Sequence, residues 1–181
     1  MIPYGKQDIT QKDIDAVVEV LHSDFLTQGP VVPLFEDTVS AYVGANYALA
    51  VNSATSALHI ACLALGLKNE DVVWTTPISF VASANCALYC GAKIDFVDID
   101  EKTNNLSVSK LEEKLLDHKN NNKLLPKIVI PVHLAGNSCD MEAIHKLSKK
   151  YDFKIIEDAS HAIGAKYKNQ SVGSCCYSDI T

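Results

Sequence analysis

Long apolar runs are the first thing this sequence lacks. Its longest, "ALHIACLALGL", is interrupted by His59 and falls well short of the about 20 residues that span a bilayer. The opening "MIPYGKQDIT" has no apolar core of the kind a secretory leader carries, so a cytoplasmic protein without a membrane segment is expected. Positive charge is also short. Sixteen lysines, with no arginine, against 22 acids give a formal charge of −6, which argues against a nucleic-acid binder, since that needs a basic face for phosphates. No block of like charges forms a tail either.

Metal-ligand spacing is missing as well. Six cysteines are present (Cys62, Cys86, Cys90, Cys139, Cys175 and Cys176), but no C-x-x-C pair exists. Cys62, Cys86 and Cys90 sit in apolar helical patterns, the last two one helical turn apart. Buried free thiols in a reducing compartment, and no metal site, are the expectation.

What is present is a regular alternation. Thr10 with Asp13 resembles a capping box opening a helix over "QKDIDAVVEVLHS". After the turn "LTQGP", a second helix runs over "VPLFEDTVSAYV" to Gly44. Strands are then expected at "YALAV", "DVVWTT", "KIDFVDI", "KIVIPVH" and "FKIIED". Helices at "ATSALHIACLALG", "SFVASANCALYCG", "SVSKLEEKLLDHK" and "DMEAIHKLSKKY" separate them. "HKNNNK" (118–123) looks like a surface loop. Short β-rich runs alternating with helices predict an α/β fold, a mostly parallel sheet with helices on both faces. The division expected is an N-terminal helical segment over 1–45 and a large domain from 46 to 181.

In such sheets a ligand lies beyond the carboxyl ends of the strands. Those ends carry "NSAT", "TPISF", "HLAGN" and "EDASHA", all falling on one edge. The first backbone amides of the helix at Ala54, Thr55 and Ser56 suit an anion, although Asn52 or Ser53 as a plain N-cap would explain the same residues. Phe80 offers a ring for stacking, or a core side chain. His133 offers a substrate contact, or an imidazole satisfied by its loop. Asp158 is a carboxylate at the end of a buried strand, costly unless a cation or several donors meet it. A protonated ring nitrogen would be such a cation; the other reading is a turn cap with Glu157 pointing outward. His161 is equally open. A nicotinamide-binding G-x-G-x-x-G turn is absent, with "NSATSA" standing where it would be.

Taken together and in order, "VNSATSALH", "TTPISFVASAN", "PVHLAGNSCDM" and "IIEDASHAIGA" resemble the sugar-nucleotide aminotransferases that use pyridoxal 5′-phosphate. The resemblance runs from about Tyr4 to Thr181, and "LTQGP" with "TTPISFVA" is most similar to the pseudaminic-acid branch. It implies the pyridoxal-phosphate-dependent aspartate-aminotransferase fold (fold type I), with only part of the large domain present and the small C-terminal domain beyond it. By the resemblance, Asp158 holds the protonated pyridine nitrogen and His161 lies near the ring hydroxyl. Phe80 covers a ring face, and the phosphate sits at Ala54 and Thr55. Tyr4 and the segment Asp24, Phe25, Leu26 and Thr27 would approach the nucleotide sugar. The activity implied is transfer of an amino group from glutamate to C4 of a 4-keto-6-deoxy UDP-N-acetyl sugar, in a homodimer with shared active sites.

One departure matters. In the family, the chain after "SDIT" continues to a lysine that holds the cofactor as a Schiff base, and Lys154 and Lys166 do not match that position. The expectation is therefore an N-terminal part of a longer enzyme, inactive by itself. Two alternatives stay open: a related dehydratase with histidine in place of that lysine, and a non-catalytic remnant that binds sugar nucleotide.

Overall fold

The computed structural model describes residues 6–181. Helix α1 (Gln11–His22) opens as expected, with the Asp13 carboxylate reaching back to the Thr10 amide at 2.6 Å. Helix α2 (Val31–Val43) ends at Gly44, whose φ of +78° favours glycine. Neither helix buries a residue. The core begins later, with α3 (Ala54–Ala64), β1 (Val72–Thr75), α4 (Ala82–Tyr89), β2 (Lys93–Phe96), α5 (Val108–Asn120), β3 (Ile128–Ile130), α6 (Met141–Tyr151) and β4 (Lys154–Ile155).

Strands β1 to β4 form one sheet in the order β2-β1-β3-β4, with every pairing parallel. Strand period explains how helices cover both faces. Val73, Ile128, Ile130 and Ile156 turn to one side, where Leu58 and Cys62 of α3 and Cys86 of α4 meet them. Trp74, Val129 and Ile155 turn to the other, against Leu111 and Leu115 of α5 and Ile144 and Leu147 of α6. Residues buried on both faces are why these strands read as unbroken apolar runs. The expected α/β architecture is borne out.

Several local expectations are corrected. Residues 47–51 do not form a strand: no neighbour pairs with them among the described residues, and Tyr47 and Leu49 are 91% and 74% exposed. β-propensity without a ladder partner does not make a strand. Among the described residues they are tied by the Ala50 amide, which donates to Glu36 Oε1 at 2.7 Å. The run over 153–158 is a two-residue strand continued by single bridges, Ile156 to Ile180 and Val132 to Asp158. "HKNNNK" begins inside α5, which ends at Asn120. A small antiparallel hairpin, β5 (Lys166–Tyr167) and β6 (Gln170–Ser171), was not anticipated; Lys168 and Asn169 turn it with positive φ.

No disulfide forms among the described cysteines; Cys62, Cys86 and Cys139 are buried, and Cys176 is exposed. Among the described residues, no helix is long and apolar enough to cross a membrane.

Candidate active site

Parallel pairing sends the strands' carboxyl ends the same way, so the loops after β1, β3 and β4 gather on one edge with the start of α3. They line a cavity of about 560 Å³. Ala54, Thr55, Phe80, Asp158 and His161, from three separate segments, all border it.

At the α3 end, Ser53 is the N-cap, and its hydroxyl accepts from the Ser56 amide at 3.2 Å. That contact removes Ser56 from the expected set of open donors. The amides of Ala54 and Thr55 have no protein acceptor among the described residues. Two donors at the positive end of a helix therefore border the cavity.

Phe80 is not a core residue: it is 74% exposed and borders the cavity. An apolar ring left this open is free to receive a flat partner.

Asp158 borders the same cavity and is 7% exposed. Its backbone is fixed on both sides, the Asp158 amide donating to Pro131 O at 2.9 Å and its carbonyl accepting from the His133 amide at 3.0 Å. Oδ1 accepts from the Ser160 hydroxyl at 2.8 Å and the Ser160 amide at 3.3 Å. Oδ2 accepts from the Ser83 hydroxyl at 2.6 Å. Asp158 is thus a turn cap and a cavity residue at once. All three of these donors are uncharged, no lysine or histidine forms an ion pair with it among the described residues, and the 181 residues include no arginine. A carboxylate held this way leaves its charge without a cationic partner.

Glu157 corrects the turn-cap reading in one respect, because it points inward and is 6% exposed. Its Oε2 lies 2.7 Å from His133 Nε2, while the Ser178 hydroxyl donates to Oε1. His133 Nδ1 accepts from the Cys139 amide at 3.1 Å, so the ring hydrogen sits on Nε2, facing Glu157. His133 is satisfied by its surroundings, the plainer of its two readings.

The loop after β3 is tied down further. Asn105 accepts from the Leu134 amide at 3.1 Å and donates to Asn137 O at 2.8 Å, bracketing "LAGN". Gly136, at φ +83°, packs so tightly that a Cβ there would stand 2.9 Å from the His161 carbonyl oxygen. Sequence reasoning missed Ser83, Asn105 and Glu157. Ser83 alone carried a signal, one helical turn beyond Phe80; the Asn105 contacts span 29 and 32 positions, and no local pattern reports them.

The segment Asp24 to Thr27 does not border this cavity; it forms the exposed turn after α1, with Phe25 and Leu26 60% and 66% exposed. Tyr4 lies outside the described residues.

Known proteins resemble this chain in sequence and in fold. A UDP-4-amino-4,6-dideoxy-N-acetyl-beta-L-altrosamine transaminase of Campylobacter jejuni is 45% identical over 174 residues, 96% of this chain and 45% of its own length. The solved Helicobacter pylori PseC, an aminotransferase involved in the biosynthesis of pseudoaminic acid, superposes with a TM-score of 0.82 at 35% identity. That match covers 94% of this chain and 44% of PseC. The PLP form of the putative sugar aminotransferase Spr1654 from Streptococcus pneumoniae gives a TM-score of 0.87 at 30% identity, covering 98% of this chain and 47% of that one. The chain therefore spans under half the length of these relatives. Residues 7–180 match the family as a whole, and the chain belongs to the DegT/DnrJ/EryC1/StrS aminotransferase family.

Proposed function

We propose that the whole protein is a pyridoxal-phosphate-dependent aminotransferase that moves the amino group of glutamate to C4 of a 4-keto-6-deoxy UDP-N-acetyl sugar, in pseudaminic acid or related surface-sugar synthesis. The observation that carries this reading is the convergence of Asp158, Phe80 and the Ala54–Thr55 amides on one cavity. These residues fit the cofactor: an unpaired carboxylate for a protonated ring nitrogen, an open aromatic face, and two free amides for a phosphate.

When bound, the cofactor supplies an electron sink and a temporary carrier for the amino group. The chain's own residues do the rest. Ala54 and Thr55 hold the phosphate through backbone amides, anchoring one end. Phe80 covers a ring face and excludes water from it. Asp158 holds the proton on the ring nitrogen, where it keeps the ring electron-poor. His161 meets the ring hydroxyl. The two substrates would use the site in turn, glutamate first and the keto sugar second.

The names borne by the Campylobacter and Helicobacter relatives support the sugar assignment. We extend it to a cytoplasmic homodimer with shared sites. In that assembly the Asp24–Thr27 turn, exposed here, and Tyr4 approach the nucleotide sugar.

The test is to load the full-length protein with pyridoxal phosphate, reduce it with borohydride and map the tagged peptide. A tagged lysine shortly after Thr181 is the expected result. A histidine in that place with no tag would replace the transfer with dehydration, and failure to bind the cofactor at all would end the reading.

A further inference from the structure

Ser83 hydrogen-bonds Asp158 from a different element, 75 positions away in the chain. It is buried, 1% exposed, on the first turn of α4. A serine hydroxyl has one hydrogen and two acceptor positions. Two oxygens compete for that hydrogen: Asp158 Oδ2 at 2.6 Å and the Phe80 carbonyl at 3.2 Å. The shorter contact to the anion prevails, because hydrogen bonds to ionised acceptors are both shorter and stronger. Ser79 Oγ stands 2.8 Å from Ser83 Oγ, and with the Ser83 hydrogen committed, Ser79 is the donor between them. The order is thus Ser79 to Ser83 to Asp158.

We infer that Ser83, polarised by Ser79, is a positioning residue that fixes the Asp158 carboxylate for the ring nitrogen of the cofactor. The inference rests on the cofactor assignment above and adds the residue that makes it work. Ser160 grips Oδ1 from the turn beside Asp158, which still lets the carboxylate pivot about that contact. Ser83 grips Oδ2 from a different element, and two anchors from two elements set the carboxylate plane. The donor is uncharged by necessity. A lysine at position 83 would neutralise Asp158 and leave nothing to hold a protonated ring, whereas a hydroxyl stabilises the charge without cancelling it. The same α4 entry carries Phe80, so one rigid start of a helix sets both the stacking ring and the carboxylate's orientation.

The test uses full-length apoprotein and two probes: pyridoxamine phosphate and its 1-deaza analogue, in which carbon replaces the ring nitrogen. Neither can link covalently to a lysine, and only the first can engage Asp158. The wild type should prefer pyridoxamine phosphate. Ser83→Ala should cut that preference by about tenfold, the worth of one hydrogen bond to a charged group. Ser83→Thr, which keeps the hydroxyl, should restore it, and Ser79→Ala should show a smaller loss. A merely structural serine would weaken both probes equally, so an unchanged preference in folded Ser83→Ala overturns the inference. Asp158→Ala separates the two levels. If it abolishes the preference while Ser83→Ala does not, the cofactor assignment stands and the positioning role falls. If the wild type shows no preference to begin with, both fall.

Discussion

His133 Nε2 and Glu157 Oε2 stand 2.7 Å apart inside the protein, joining the loop after β3 to the residue just before Asp158. The pair fastens two walls of the cavity to each other. Glu157→Ala leaves the buried Nε2 hydrogen without an acceptor, and the Ser178 hydroxyl loses its acceptor as well. A loss of about 1–3 kcal/mol in unfolding free energy is expected, together with weaker cofactor binding. Denaturant unfolding of the full-length variant checks this, and a change within experimental error would show that the pair does not fasten the walls.

Gly136 tests the same junction by size. Its φ of +83° already disfavours any side chain, and a Cβ would stand 2.9 Å from a backbone oxygen that cannot swing aside. Gly136→Ala should cost about 1–3 kcal/mol and push the Ser160–His161 turn away from the loop. Reduced affinity for pyridoxal phosphate in a folded Gly136→Ala protein is the expected observation. Full affinity would mean that the turn's position is not critical.

Thiol chemistry gives a pH-dependent check. Burial pushes the Cys139 thiol up from an ordinary 9.0 to about 12, and the thiol donates to Val132 O at 3.2 Å. The unfolded chain's thiol ionises first as pH rises, so the stability linked to Cys139 is present in full below about 9. It is lost progressively between pH 9 and about 12. The advantage of wild type over Cys139→Ala should therefore shrink across that window. At pH 8, alkylation of the native protein should reach Cys176 and spare Cys62, Cys86 and Cys139 until denaturant is added. Labelling of Cys139 at the rate of Cys176 would contradict its buried placement.

Much of this was legible beforehand, for identifiable reasons. Val73, Ile128 and Ile155 sit in strands buried on both faces, and such strands announce themselves as apolar runs between helical patterns. The carboxyl-edge rule pointed to the segments that carry Thr55, Phe80 and Asp158, and the family resemblance singled out those residues within them. Tyr47 and Leu49 misled, because alternation reports a strand's tendency and not whether a neighbour exists to pair with it. Glu157 misled because adjacent residues on a strand point opposite ways, and an inward acid needs a partner that only the fold supplies, here His133. Asn105 was invisible, since its two contacts join segments some 30 positions distant.

Phe80 separates function from stability most cleanly. A ring that is 74% exposed packs against little, so Phe80→Ala should leave unfolding free energy unchanged to within about 0.5 kcal/mol. Against a bound ring it would lose the stacking contribution, about 0.5–1.5 kcal/mol, or roughly twofold to twelvefold in affinity. Phe80→Trp should keep or strengthen binding, since the open face at this position admits a larger ring. Isothermal titration of both full-length apoproteins with pyridoxal phosphate, beside matched thermal melts, reads the two quantities independently. Weakened binding at unchanged melting temperature is what a stacking face predicts. A fall in melting temperature with unaltered affinity would assign Phe80 to packing instead, and would move the cofactor's cover to another side chain bordering the cavity.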